Sequence, residues 1–234
     1  DVYPVGCITN GMSGNGLCDY AALKEAGCIC ISDDGRPVEN AEQMRKALEL
    51  SNENGLLVAS HCEDLSIING GIMNKGETSA KLGVKGMDRA SEDYITAREM
   101  ILASSVNARI HICHVSTKGS AAEIRFAKSR GVKVTCETAP HYFMLTDELL
   151  AKRDADYRMN PPLRTPKDVR AIIDAVKDGT IDCIITDHAP HAAEEKADFE
   201  KAPNGVVGLE TSLAATLTAL YHTGEISLNR VVEL

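Results

Sequence analysis

What most constrains the fold of this chain is the alternation of six short apolar runs with stretches of helical period. The runs are Val5–Thr9, Cys28–Asp34, Leu56–His61, Arg109–Val115, Val132–Thr138 and Asp182–Asp187. Each is apolar almost throughout, the pattern of a strand covered on both faces. Between them, Asn40 can cap a helix carrying Ala41, Met44, Ala47 and Leu48, and Lys118–Arg130 closes at Gly131. Thr165-Pro166 opens a further helix with Val169, Ile172, Ile173 and Val176 on one face and Gly179 as its stop. Strands alternating with helices predict βα units and a parallel sheet of the α/β class. Two longer stretches, His61–Asp88 and His188–Gly205, are expected to be irregular and, because they follow strand ends, to carry function.

Composition narrows what such a chain can do. Its 234 residues hold 25 Lys+Arg against 34 Asp+Glu, a formal charge of −9. That balance argues against nucleic acid as a partner, since phosphate recognition needs clustered cations. No apolar stretch approaches the ~20 residues of a membrane span, and no leader pattern is present, so a cytoplasmic location is expected. The eight cysteines include no CxxC pair and are expected to be small, reduced core residues.

Side chains alternate along a strand, so residues of equal parity share a face. Four runs then finish in a ligand-type side chain on a face of small or aliphatic residues: Cys28, Cys30, Ser32 and Asp34; Leu57, Ala59 and His61; Ile110, Ile112 and His114; Cys183, Ile185 and Asp187. In a closed parallel barrel these ends would converge at the C-terminal mouth, where such folds place their chemistry. Two imidazoles and two carboxylates there suit a borderline divalent ion such as zinc. Parity leaves open whether Asp33 or Asp34 is the ligand. His111, out of phase with His114, is expected to face the helices, and His222 to lie on the surface.

The motifs at these ends are Asp33-Asp34-Gly35, His61-Cys62-Glu63-Asp64, His114-Val115-Ser116-Thr117, Met159-Asn160-Pro161-Pro162-Leu163-Arg164 and Thr186-Asp187-His188-Ala189-Pro190-His191. In this order and spacing they resemble the dihydroorotase family of the amidohydrolase superfamily, in its long bacterial form. The resemblance implies a (β/α)8 TIM barrel and a pair of zinc ions. It makes Asp34 the bridging carboxylate, His61 and His114 ligands of the more buried ion, and Asp187 both a ligand of the other ion and the proton shuttle. The family spacing from Asp34 to His61 favours Asp34 over Asp33. Asn160 and His191 would bind the substrate ring and its carboxylate, and Asn204-Gly205 would offer backbone groups to the pyrimidine, although the family commonly has a larger residue than Asn204. The implied reaction is reversible hydrolysis of dihydroorotate to N-carbamoyl-L-aspartate by metal-activated water, a step of pyrimidine synthesis.

The chain also departs from that family. The family's first strand ends in His-x-His-x-Arg, and none of the seven histidines here forms a His-x-His pair. The first two barrel strands and a flanking β-sandwich are therefore expected to be missing, with residues 1–234 forming a partial TIM barrel of about strands three to eight, inactive on its own. Allantoinase or dihydropyrimidinase activity is the nearest alternative. A non-catalytic scaffold subunit of aspartate transcarbamoylase is the alternative of a different class. The expected assemblies are a homodimer or an association with that transcarbamoylase.

Overall fold

The computed structural model describes residues 2–234. Its strands are β1 (Val5–Gly6), β2 (Cys30–Ile31), β3 (Leu57–Ser60), β4 (Met73–Asn74), β5 (Gly86–Met87), β6 (Ile110–Ile112), β7 (Val134–Thr138) and β8 (Cys183–Ile184). Its helices are α1 (Tyr20–Glu25), α2 (Ala41–Glu53), α3 (Leu65–Ile68), α4 (Glu77–Leu82), α5 (Ala90–Ser105), α6 (Lys118–Ser129), α7 (Pro140–Met144), α8 (Pro166–Lys177), α9 (Ser212–Thr216) and α10 (Leu228–Glu233). Each of the six apolar runs supplies one strand of a six-stranded sheet in the order β1-β2-β3-β6-β7-β8, with every neighbouring pair parallel. Among the described residues β1 pairs only with β2 and β8 only with β7, so the sheet is an open arc.

The helices form where the local chemistry directs them. The Asn40 side chain accepts the Gln43 amide at 2.9 Å at the start of α2, and Thr117 accepts the Ser120 amide at 3.1 Å at the start of α6. Thr165 and Asp168 form a reciprocal capping box at α8, with Pro166 in the first turn. Gly131, just past α6, takes a left-handed conformation at φ 78°.

The main core lies between the sheet and its helices. Ile31, Val58, Ile110, Ile112 and Cys136 from the strands pack with Met44, Leu48, Ala103, Ile124 and Ile172 from the helices. Each fully buried aliphatic side chain of this set contributes about 1.5–3 kcal/mol. A second, smaller cluster of Met73, Leu150, Met159, Leu163 and Phe199 lies outside that core.

Four expectations need correction. The stretch from His61 to Asp88 is not irregular: it folds as α3, the parallel pair β4 and β5, and α4. Its strands are two residues long and its helices at most six, too short to show a period. Cys28 does not share the face of Cys30 but is buried in the core. In β6 the two faces are the reverse of the parity reading. Ile110 and Ile112 are buried against the helices, whereas His111 and Cys113 line the inner groove with Leu57 and Ala59. All eight cysteines are free thiols, although only Cys28, Cys62 and Cys136 are buried. Among the described residues, no helix is long and apolar enough to cross a membrane.

Candidate metal centre

Asp34, His61 and His114 meet at the C-terminal end of the sheet. His61 Nδ1 lies 2.9 Å from His114 Nε2, and Asp34 Oδ1 lies 3.3 Å from the first and 3.4 Å from the second. Ligands about 2.0–2.1 Å from a tetrahedral ion sit about 3.3 Å from one another, so this spacing fits a single divalent cation. The donor set of two imidazole nitrogens and a carboxylate oxygen fits the same class of ion. Both histidines are buried, while Asp34 stands at the rim. The His114 and His61 imidazoles beside Asp34 hold its carboxyl far below the ordinary carboxylate range. Burial disfavours the His61 cation, but the Asp34 and Glu63 carboxylates outweigh it and push that imidazole up to about 9. A cation at this point would therefore displace a proton from His61.

Backbone conformation aims two of these side chains. After His111 and Cys113, continued alternation would turn His114 toward the helices. His114 instead adopts φ 34°, in the left-handed region, and its ring turns into the groove. Asp187, beyond the end of β8, does the same at φ 47°. Non-glycine residues avoid this region, and those found there cluster at functional sites. The adjacent Asp33 is occupied elsewhere: it is buried and accepts the Ile8 amide at 2.8 Å, the Thr9 amide at 3.2 Å and the Thr9 hydroxyl. Asp33 thus ties the end of β2 to the end of β1, and Asp34 is the carboxylate that reaches the histidines.

Asp187 lines the same groove as Asp34 and His114 but lies outside the three-residue cluster. Burial raises its carboxyl. Its neighbour His141 brings Nε2 to 4.0 Å from Asp187 Oδ2, and that nitrogen is buried with no hydrogen-bond partner. Burial, followed by the nearby His114, lowers the His141 imidazole to about 3. Asn160 donates its Nδ2 to Glu63 Oε1 at 2.8 Å, leaving Oδ1 buried and unpartnered.

His191, Asn204 and Gly205 form a separate group. His191 Nε2 is 3.0 Å from the Asn204 carbonyl. Gly205 sits at φ 148°, and a Cβ there would fall 2.5 Å from the Ala189 carbonyl oxygen and 2.9 Å from His191 Nε2, so only glycine fits.

Residues not singled out from the sequence hold this end of the molecule together. Buried Arg164 donates to Ser116 Oγ at 3.0 Å, Asn74 Oδ1 at 3.1 Å and Glu92 Oε2 at 3.1 Å. Glu92 also accepts the amides of Ser116 at 2.9 Å and Thr117 at 3.1 Å. This buried ion pair fixes the chain just after His114. Glu63 lies inside a motif already noted and Arg164 ends another, but their partners are far away in sequence. Lower in the groove, His111 Nε2 pairs with Glu137 at 3.0 Å and its Nδ1 meets Thr135 Oγ1 at 2.7 Å.

Residues 1–120 match the profile of the dihydro-orotase-like family. Over 234 residues the chain is 53% identical to a dihydroorotase of Trichlorobacter lovleyi, covering 100% of this chain and 55% of that protein. A dihydroorotase of Acetivibrio thermocellus is 49% identical over the same 234 residues, again 55% of its length. The chain thus spans about half the length of the curated relatives it matches. Among solved structures, an L-hydantoinase (dihydropyrimidinase) from Arthrobacter aurescens superposes with a TM-score of 0.80 at 25% identity, over 92% of this chain and 51% of that one. A dihydropyrimidinase from Brevibacillus agri gives 0.79 at 24% identity, over 92% and 50%. The second likeness speaks for the fold alone.

Proposed function

Since this chain belongs to the dihydro-orotase-like family, we propose that it forms the part of a dihydroorotase barrel carrying about strands three to eight. The complete enzyme interconverts dihydroorotate and N-carbamoyl-L-aspartate in pyrimidine synthesis. The observation that carries this reading is the meeting of Asp34, His61 and His114 at cation-binding distances. The 53% identity to dihydroorotases over the whole chain favours this substrate over allantoin or dihydrouracil.

In this reading Asp34, His61 and His114 would hold zinc, and Asp187 would contribute to a second ion. Zinc bound there supplies a Lewis acid and water of lowered pKa. The chain's own residues do the rest. Asp187 accepts the proton of the attacking water and delivers it to the ring nitrogen as the amide C–N bond breaks. Asn160, oriented by Glu63, has a free Oδ1 to accept a ring N–H. His191 and the Asn204-Gly205 backbone bind the substrate carboxylate and ring.

The test is ring opening of dihydroorotate, allantoin and dihydrouracil by the full-length enzyme that carries this chain. Dihydroorotate should be turned over fastest. Preference for either other ring would overturn the assignment. Turnover of none of the three, together with absence of bound metal, would favour a scaffold.

A further inference from the structure

Lys196 is a cation with an unusual set of partners. Its Nζ lies 3.1 Å from the Ala155 carbonyl oxygen, 3.2 Å from that of Arg158, 2.9 Å from Pro203 and 2.9 Å from Gly205. Among the described residues it makes no ion pair within 4.0 Å. An ammonium group has three donors, so it shares them among four backbone dipoles. Taking a charge partly out of water is unfavourable unless such dipoles replace the solvent.

The four carbonyls come from two segments with different assignments. Ala155 and Arg158 lead into Asn160, while Pro203 and Gly205 flank Asn204. The Gly205 amide also donates to the Arg158 carbonyl at 2.9 Å, and Arg158 Nη2 reaches Asn204 Oδ1 at 3.3 Å. We propose that Lys196 is a positioning residue, whose ammonium acts as an internal cation that sets the spacing between the Asn160 segment and the Asn204-Gly205 segment and so defines the width of the substrate-ring site. This rests on the dihydroorotase reading. Lys196 touches no reacting atom in it; its effect passes through the backbone it gathers.

A positioning role of this kind acts on substrate binding more than on the chemical step. In the full-length enzyme, Lys196→Met should raise KM for dihydroorotate about tenfold or more while kcat stays within about threefold. Lys196→Ala empties a space ringed by carbonyls, the kind of site that binds potassium. Potassium or ammonium chloride should therefore bring its KM back severalfold toward wild type, while tetramethylammonium chloride at equal ionic strength should not. Unchanged KM in both variants would overturn the proposal. So would a joint loss of kcat and thermal stability that no salt reverses, including failure of both variants to fold, since that marks a purely structural lysine. A wild-type enzyme inert toward dihydroorotate would instead overturn the proposed reaction, and this inference with it.

Discussion

His61 Nδ1 and His114 Nε2 are 2.9 Å apart, with their rings nearly perpendicular at 80°. With Asp34 Oδ1 facing both nitrogens, the arrangement suits a cation. His61→Asn or His114→Asn should therefore lower metal affinity by more than the ~100-fold that loss of an outer-shell partner can cost. Metal content of the purified full-length variants, measured by mass spectrometry, checks this.

The protonation of His61 gives metal binding a pH dependence. The metal-free imidazole titrates at about 9, so below that pH each cation bound displaces one proton. Affinity should rise about tenfold per pH unit from near 7 and level off above about 9. The sign for stability is opposite. This folded pKa lies above the unfolded value of about 6.5, so the His61 contribution to metal-free stability is complete below about 6.5 and disappears as pH rises through about 9. Chelator competition and denaturation of the metal-free protein across that range separate the two effects.

His141 behaves in the reverse way. It titrates at about 3 in the fold and at about 6.5 when unfolded, so the unfolded chain takes up its proton first as pH falls. Stability should drop by about 2 kcal/mol between pH 7 and pH 5 from this group alone. His141→Gln should remove that portion, which a comparison of wild-type and variant urea denaturation at the two pH values would reveal.

Replacing Arg164 by Met leaves Glu92 buried beside Ser116 with no counter-charge. The expected loss is about 3–5 kcal/mol, the range for breaking one side of a buried pair. Replacing Glu92 and Arg164 together by Gln and Met should cost less than the sum of the single changes. A double-mutant cycle in thermal denaturation measures the difference.

Gly205→Ala combines a poor φ with a Cβ 2.5 Å from the Ala189 oxygen. It should displace the His191–Asn204 contact and raise KM for dihydroorotate in the full-length enzyme, leaving bound metal unchanged. Loss of metal along with binding would show the two groups to be one unit.

Much of this molecule was readable beforehand because its signals are local. Asn40 and Thr165 stand at the starts of the helices that the sequence predicts from them, and the six apolar runs lie side by side in chain order. What could not be read depends on distant partners or on a local break in regularity. Strict alternation carried through to His114 puts His111 on the wrong face, because the left-handed backbone at His114 ends the alternation there. Strand parity alone leaves Asp33 and Asp34 equivalent, because what occupies Asp33 is Thr9, 24 positions away beyond the end of another strand. Glu92 and Lys196 lie in none of the quoted motifs and Arg164 only ends one, and the roles of all three appear only once the loops are brought together.

The positive φ angles at His114 and Asp187 have an evolutionary consequence. Folding alone would prefer glycine or asparagine at both points, so selection for the fold pulls against the imidazole and the carboxylate now there. A lineage released from the need to hold a cation would gain stability by exchanging them. In degenerate copies of this chain, these two positions should drift before His61, whose backbone lies outside the left-handed region and gives it no such incentive.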